Sequence, residues 1–239
     1  MSTGAHQQSE RERDRLPAPV ETERERRSRS VRFGLPAAGL VLVLFLANAF
    51  VVQPFRVPST SMTPTLKVGD RILVNKLAYR FGNSPRRGDV VVFDGTGSFA
   101  GEEPEGSPVT RALWGAGAVI GVVGPSGTDY VKRVIGVGGD RVRCCDKRGR
   151  IEVNGVPRHE GYLHPGDVPS TVPFDVRVPH GRLWVMGDHR SGSSDSRDHL
   201  GEPGGGTVPV GQVIGRADWI GWPAQRWGAS IAAGAGAHG

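Results

Sequence analysis

Apolar and polar positions divide the chain into three regimes. From Phe33 to Phe55 no residue is charged, and Leu, Val, Ala and Phe cover every helical face. At about 1.5 Å per residue such a run crosses a hydrocarbon core of roughly 30 Å, which predicts one transmembrane helix over residues 33–55. Pro36, Asn48 and Gln53 fall near its ends, where they cost least. Ahead of it, residues 1–32 alternate Glu and Arg with no apolar face and read as a disordered tail. Beyond it the pattern changes to short β-branched runs punctuated by Gly and Pro, the signature of a mostly β domain over residues 56–222.

Strands are expected at Arg71–Asn75, Asp89–Phe93, Tyr130–Val137, Arg150–Val153, Asp175–Val178, Leu183–Met186 and Val213–Ala217. Asn154-Gly155, directly after Ile151-Glu152-Val153, predicts a hairpin turn. Residues 95–126 are Gly-rich and read as an excursion from the sheet, with an apolar stretch from Ala112 to Val123 that packs on the domain or dips into a membrane interface beside Trp114. Residues 223–239 end in small side chains and read as a flexible tail.

Charge sets the orientation. Arg24, Arg26, Arg27, Arg29 and Arg32 precede the apolar run, a bias that holds the N-terminus in the cytoplasm and puts the β domain outside the cytoplasmic membrane. Ala47-Asn48-Ala49 has the small-x-small form of a cleavage site, so a removed secretory signal is the alternative reading of the same segment. The net charge of +6 suits anionic lipid headgroups, whereas a nucleic-acid surface would need basic residues clustered with aromatics; the arginines are scattered. Cys144 and Cys145 are the only cysteines and are adjacent, which excludes a disulfide framework. Two buried thiols are expected there, with a vicinal bridge as the alternative.

Candidate chemistry starts with the hydroxyl-rich segment Pro58-Ser59-Thr60-Ser61-Met62-Thr63-Pro64-Thr65-Leu66, a few residues past the apolar run. A nucleophile so close to a bilayer exit meets substrates at the membrane surface. His189, in the polar loop from Gly187 to Arg197, makes a Ser-His-Asp arrangement conceivable, but no Gly-x-Ser-x-Gly elbow accompanies it. No helical two-histidine spacing is present, so neither a metal nor another cofactor is expected. Lys132 is the other candidate base. It lies in the apolar run Tyr130-Val131-Lys132-Arg133-Val134-Ile135-Gly136, on the same strand face as Tyr130. Burial there would lower its pKa, and a shift from about 10.4 toward 7 needs roughly 4 to 5 kcal/mol of selective destabilisation of the ammonium. Alone, the same residue also reads as a strand-edge lysine reaching solvent.

Four blocks in order resemble type I signal peptidases, the membrane-bound Ser/Lys proteases that remove signal peptides from exported preproteins. They are Pro58 to Leu66; Gly69-Asp70-Arg71-Ile72-Leu73-Val74-Asn75-Lys76; Tyr130 to Gly136 with Gly139-Asp140; and Met186 to Arg197. The resemblance implies a coiled-sheet or β-barrel domain with a smaller β lobe, Ser61 as nucleophile and Lys132 as general base. It also implies an oxyanion hole from the Ser61 N–H and the Ser59 hydroxyl, Ser193 orienting the lysine, and Asp195 with Arg197 bracing the site. Asp188 and Arg190 match supporting positions. Val57, Pro58, Met62, Leu66, Tyr130 and Val131 match positions around shallow pockets for small residues at the first and third positions before the cut. Met62 and Leu66 read equally as core. Family members often carry Asn where this chain has His189. The implied partners are preproteins, phospholipid and the secretion machinery. A self-cleaving repressor-like protease and a non-catalytic anchored β module are the competing readings.

Overall fold

The computed structural model of the chain describes residues 36, 39–45, 51–99, 128–229 and 231. The predicted tail, residues 33–35, 37–38 and 46–50 of the predicted anchor with Ala47-Asn48-Ala49, and residues 100–126 of the predicted excursion lie outside them. The chain separates into two units, Met1–Leu44 and Phe45–Gly239. Residues 39–45 are helical, and every large apolar side chain from Leu40 to Phe45 is exposed. No helix among the described residues is long and apolar enough to cross a membrane.

The second unit is built from antiparallel strands. These are β1 (Val52–Arg56), β2 (Arg71–Asn75), β3 (Val90–Asp94), β4 (Asp129–Val137), β5 (Arg141–Cys144), β6 (Glu152–Val153), β7 (Val156–Pro157), β8 (Phe174–Arg177), β9 (Arg182–Met186), β10 (Val208–Pro209) and β11 (Val213–Trp222). Seven form one sheet in the order β1-β2-β11-β3-β4-β9-β10; the other four form a second sheet, β7-β6-β5-β8. The small sheet is inserted in the connection from β4 to β9, which makes it the smaller β lobe. At its tip Asn154 and Gly155 both adopt positive φ, 55° and 79°, as a two-residue hairpin turn requires.

β3 shows how the pattern makes the core. Its Val-Val-Val-Phe run is buried on both faces: Val90 and Val92 join Phe55, Ile72, Val74, Met62 and Leu66 in one cluster, while Val91 and Phe93 join Val134, Leu183 and Val185 in another. A third cluster, with Val142, Ile151, Phe174, Trp184 and Met186, seats the small lobe on the main sheet. Each such side chain contributes about 1.5–3 kcal/mol by leaving water.

Three differences from the sequence reading have physical causes. Val52–Arg56, four residues of which lie in the predicted anchor, pairs in register with Arg71–Asn75, because antiparallel partnering on β2 satisfies its backbone. Arg226 and Ile231 are fastened to the domain where a flexible tail is expected: Arg226 pairs with Asp70 and donates to the Thr65 carbonyl at 2.8 Å, and Ile231 is 1% exposed in the core. Cys144 and Cys145 are joined to each other, correcting the expectation of free thiols; Cys144 closes β5 with its sulfur against the lobe core.

Candidate active site

Ser61 lies in the turn that leaves β1. Val57 N–H bonds to the Asp70 carbonyl at 2.8 Å and Gly69 N–H returns to Val57 at 2.9 Å, closing the segment into a loop. Met62 and Leu66 pin it from below, 1% and 0% exposed. Inside it, Leu66 N–H bonds to the Met62 carbonyl at 2.8 Å and Thr63 N–H to Thr60 at 2.9 Å. This leaves Ser61 buried and its hydroxyl 3.2 Å from that of Ser59, which is exposed.

A second segment, Gly187 to Arg197, leaves the end of β9 and packs on the Ser61 turn. His189 N–H donates to the Ser61 carbonyl at 3.1 Å. Gly187 is wedged between the two: a Cβ there would stand 2.3 Å from the Ser193 hydroxyl and 2.5 Å from the Ser61 carbonyl oxygen. Asp195 organises the rest of this loop. It accepts from the Ser193 hydroxyl at 2.9 Å, from Gly187 N–H at 3.0 Å, and from the Arg197 guanidinium at 2.8 and 2.9 Å. Burial raises the Asp195 pKa, but the bonds and charge of Arg197 outweigh it and hold the carboxyl below its ordinary value.

Lys132 sits opposite Val91 in β4, one residue before Arg133, which pairs with Met186 at the head of the loop. The lysine is 4% exposed. Burial lowers its pKa to about 8, the nearby Asp195 opposes the shift, and Arg197 assists it. A neutral amine is therefore accessible near physiological pH, and it lies within electrostatic range of the loop that touches Ser61.

Other predicted positions distribute as follows. Val57, Met62 and Leu66 are buried in the core cluster, and Val131 packs against its edge. Pro58 is exposed, and Tyr130 is half-buried, stacked on Phe93 at 5.8 Å. Arg190 is buried and paired with Glu160 at 2.5 Å.

The sequence reading did not single out the clamp that joins these parts. Arg133, fully buried, makes a two-pronged bond to Asp188 at 2.8 and 2.7 Å and also donates to the Gly88 carbonyl at 2.8 Å. Thr65 donates to the same Asp188 at 2.6 Å, tying the Ser61 turn to β4 and to the 187–197 loop at one carboxylate. Gly187 was legible only as part of a motif, and its packing role was not. The structure also gathers ligand atoms of His164, Asp167 and His189 within 4.8 Å of one another, a grouping that no local spacing in the sequence reveals.

The signal peptidase family, peptidase S26, matches residues 29–222 of the chain. A signal peptidase I of Mycobacterium tuberculosis is 44% identical over 219 residues, covering 82% of this chain and 74% of the relative. A probable signal peptidase I of Mycobacterium leprae is 40% identical over 226 residues, covering 82% and 78%. A signal peptidase IB of Staphylococcus aureus is 30% identical over 198 residues, covering 76% and 84%. The chain is thus a serine endopeptidase, a peptide hydrolase. It belongs to the signal peptidase family, peptidase S26, and that membership supports removal of signal peptides from exported preproteins.

Proposed function

We propose that the chain is a single-pass membrane protease, its N-terminus inside and its β domain outside, that cuts signal peptides through an acyl-enzyme formed on Ser61 with Lys132 as general base. The observation that carries this reading is the burial of Lys132, 4% exposed, with a pKa of about 8. A neutral amine accepts the Ser61 proton as Oγ attacks the scissile carbonyl, forming the new C–O bond. The same proton then passes to the leaving amine as the C–N bond breaks. Water repeats the sequence on the ester, releasing the second product and restoring the hydroxyl. The Ser61 N–H and the Ser59 hydroxyl stabilise the oxyanion. Ser193 orients the amine, and Asp195 with Arg197 braces Ser193.

The substrate enters as an added strand, held by main-chain bonds, with small side chains at its first and third positions before the cut. Pro58, Tyr130 and Val131 meet it at the surface, and Val57, Met62 and Leu66 form the floor beneath. The anchor reading is supported by the consecutive exposed apolar side chains from Leu40 to Phe45 behind an arginine cluster, which suit lipid better than water. The test is cleavage of a preprotein by the full chain in lipid vesicles. Ser61→Ala and Lys132→Ala each abolish product while preserving fold, and full activity in either variant overturns the dyad.

A further inference from the structure

We propose that His164, Asp167 and His189 form a binding site for a divalent transition-metal ion of the zinc type, at the rim of the candidate active site. The three residues come from two loops that a backbone bond holds together, His164 N–H to the Asp188 carbonyl at 2.9 Å. Their ligand atoms all lie within 4.8 Å of one another, and all three side chains are half-buried, within reach of solvent and of an entering ion. The two imidazoles stack, ring centres 4.0 Å apart and planes 21° from parallel.

The donor set selects the ion. Two imidazole nitrogens and one carboxylate oxygen suit zinc and its neighbours, whereas magnesium and calcium favour oxygen ligands throughout. Ligand distances near 2.0–2.1 Å in a tetrahedral site require donors roughly 3.4 Å apart, so modest side-chain rotations close the group on an ion and leave a fourth position for water. Outer contacts of the kind that orient metal ligands are already present. Ser191 donates to Asp167 from its hydroxyl at 2.7 Å and its N–H at 3.2 Å. Gly192 makes room for the His189 ring, since a Cβ there would stand 2.8 Å from Nδ1. The same nitrogen lies 3.4 Å from the Thr63 hydroxyl.

Occupancy bears on cleavage, an effect that rests on the proteolytic reading above. His189 holds the Ser61 carbonyl through its main-chain N–H and touches Thr63 through its ring, so drawing that ring onto an ion takes away the Thr63 contact within the Ser61 turn. Bound metal therefore slows peptide cleavage.

The test uses the full chain in detergent micelles, freed of metal and titrated with Co2+ by absorption and with Zn2+ by calorimetry. One ion binds per chain, and His164→Ala, Asp167→Asn and His189→Asn each weaken binding at least ~10-fold. Asp167→Asn preserves shape, which separates loss of a ligand from loss of fold. Zn2+ lowers turnover of a signal-peptide substrate several-fold in the unsubstituted chain, a chelator restores it, and His164→Ala and Asp167→Asn resist it. Equal affinity in all three variants, or turnover indifferent to a bound ion, overturns the proposal. A chain that cleaves nothing even without metal refutes the proteolytic reading, while the Co2+ titration still decides the metal site.

Discussion

Gly187 stands between Ser61 and Ser193 with no room for a side chain: an added Cβ would lie 2.5 Å from the Ser61 carbonyl oxygen and 2.3 Å from the Ser193 hydroxyl. Main-chain atoms and a short, bonded serine cannot yield that space cheaply, because Ser193 is held by Asp195 at 2.9 Å and Ser61 by His189 at 3.1 Å. Gly187→Ala is therefore expected to push the two loops apart and cut kcat far more than KM. Gly211→Ala, where nothing lies within 4 Å of an added Cβ, is the control. Steady-state kinetics on a signal-peptide substrate decide it, and unchanged kcat in Gly187→Ala would show that the packing of these loops does not matter to the reaction.

The pH profile follows from Lys132. Its ammonium is disfavoured by burial, and its pKa falls to about 8, so the amine is mostly protonated below that value and mostly free above it. The rate should climb with pH through about 8 and then level off. A kcat/KM profile flat from neutral into alkaline pH counts against the lysine as base.

Ser59 is the exposed member of the hydroxyl pair 3.2 Å apart. As an oxyanion donor it would act in the transition state, so Ser59→Ala should lower kcat about 100- to 1,000-fold with little change in KM or in stability. Single-turnover measurement of acylation is the direct check. A loss confined to KM would assign Ser59 to substrate binding instead.

Much of this architecture was legible in the sequence, and the exceptions share a cause. β2 was placed at Arg71–Asn75 with its observed ends, because Ile72-Leu73-Val74 is a short apolar run set off by Gly69-Asp70 and Lys76, and the Asn154-Gly155 turn was legible because few residue pairs accept positive φ twice. β1 was hidden because Val52-Gln53-Pro54-Phe55 continues an apolar run, and a strand contiguous with such a run has no period of its own. β5 was missed because Arg141 and Arg143 on its outer face make it look like loop, although Val142 and Cys144 face the core. Ser61 and Lys132 were singled out through ordered motifs. The bonds that position them were not: Arg133 and Asp188 are 55 residues apart, and Thr65 and Asp188 are 123 apart, so no local pattern links them.

That clamp carries its own expectation. Asp188 is the sole carboxylate bonded to Arg133 among the described residues, and both side chains are fully buried. Asp188→Ala leaves a guanidinium without its counter-charge and should cost about 3–5 kcal/mol, measured as a fall in the urea midpoint. Activity should fall as well, since Thr65 and the Ser61 turn lose their shared anchor. A loss under about 1 kcal/mol would mean that the remaining acceptors, the Gly88 and Ile231 carbonyls and the Thr65 hydroxyl, satisfy Arg133 alone.

Burying Lys132 also has a thermodynamic consequence that separates catalytic from structural purpose. In the unfolded chain the amine titrates near the ordinary lysine value of 10.5; in the folded chain it titrates at about 8. Between those values the unfolded state binds more protons, so stability rises with pH across that window. Below about pH 8 both states are protonated and the folded one carries the full penalty of a buried ammonium, about 3 kcal/mol. Lys132→Met removes the charge at nearly the same volume. The variant should be inactive yet more stable than its parent by up to about 3 kcal/mol at neutral pH, with the gain shrinking as pH rises through about 8 toward 10.5. Urea denaturation of both proteins at several pH values tests this. A variant less stable than its parent, or a gain that does not vary with pH, would mean that the amine is already well solvated or paired in the folded state, and it would then have no reason to be a base.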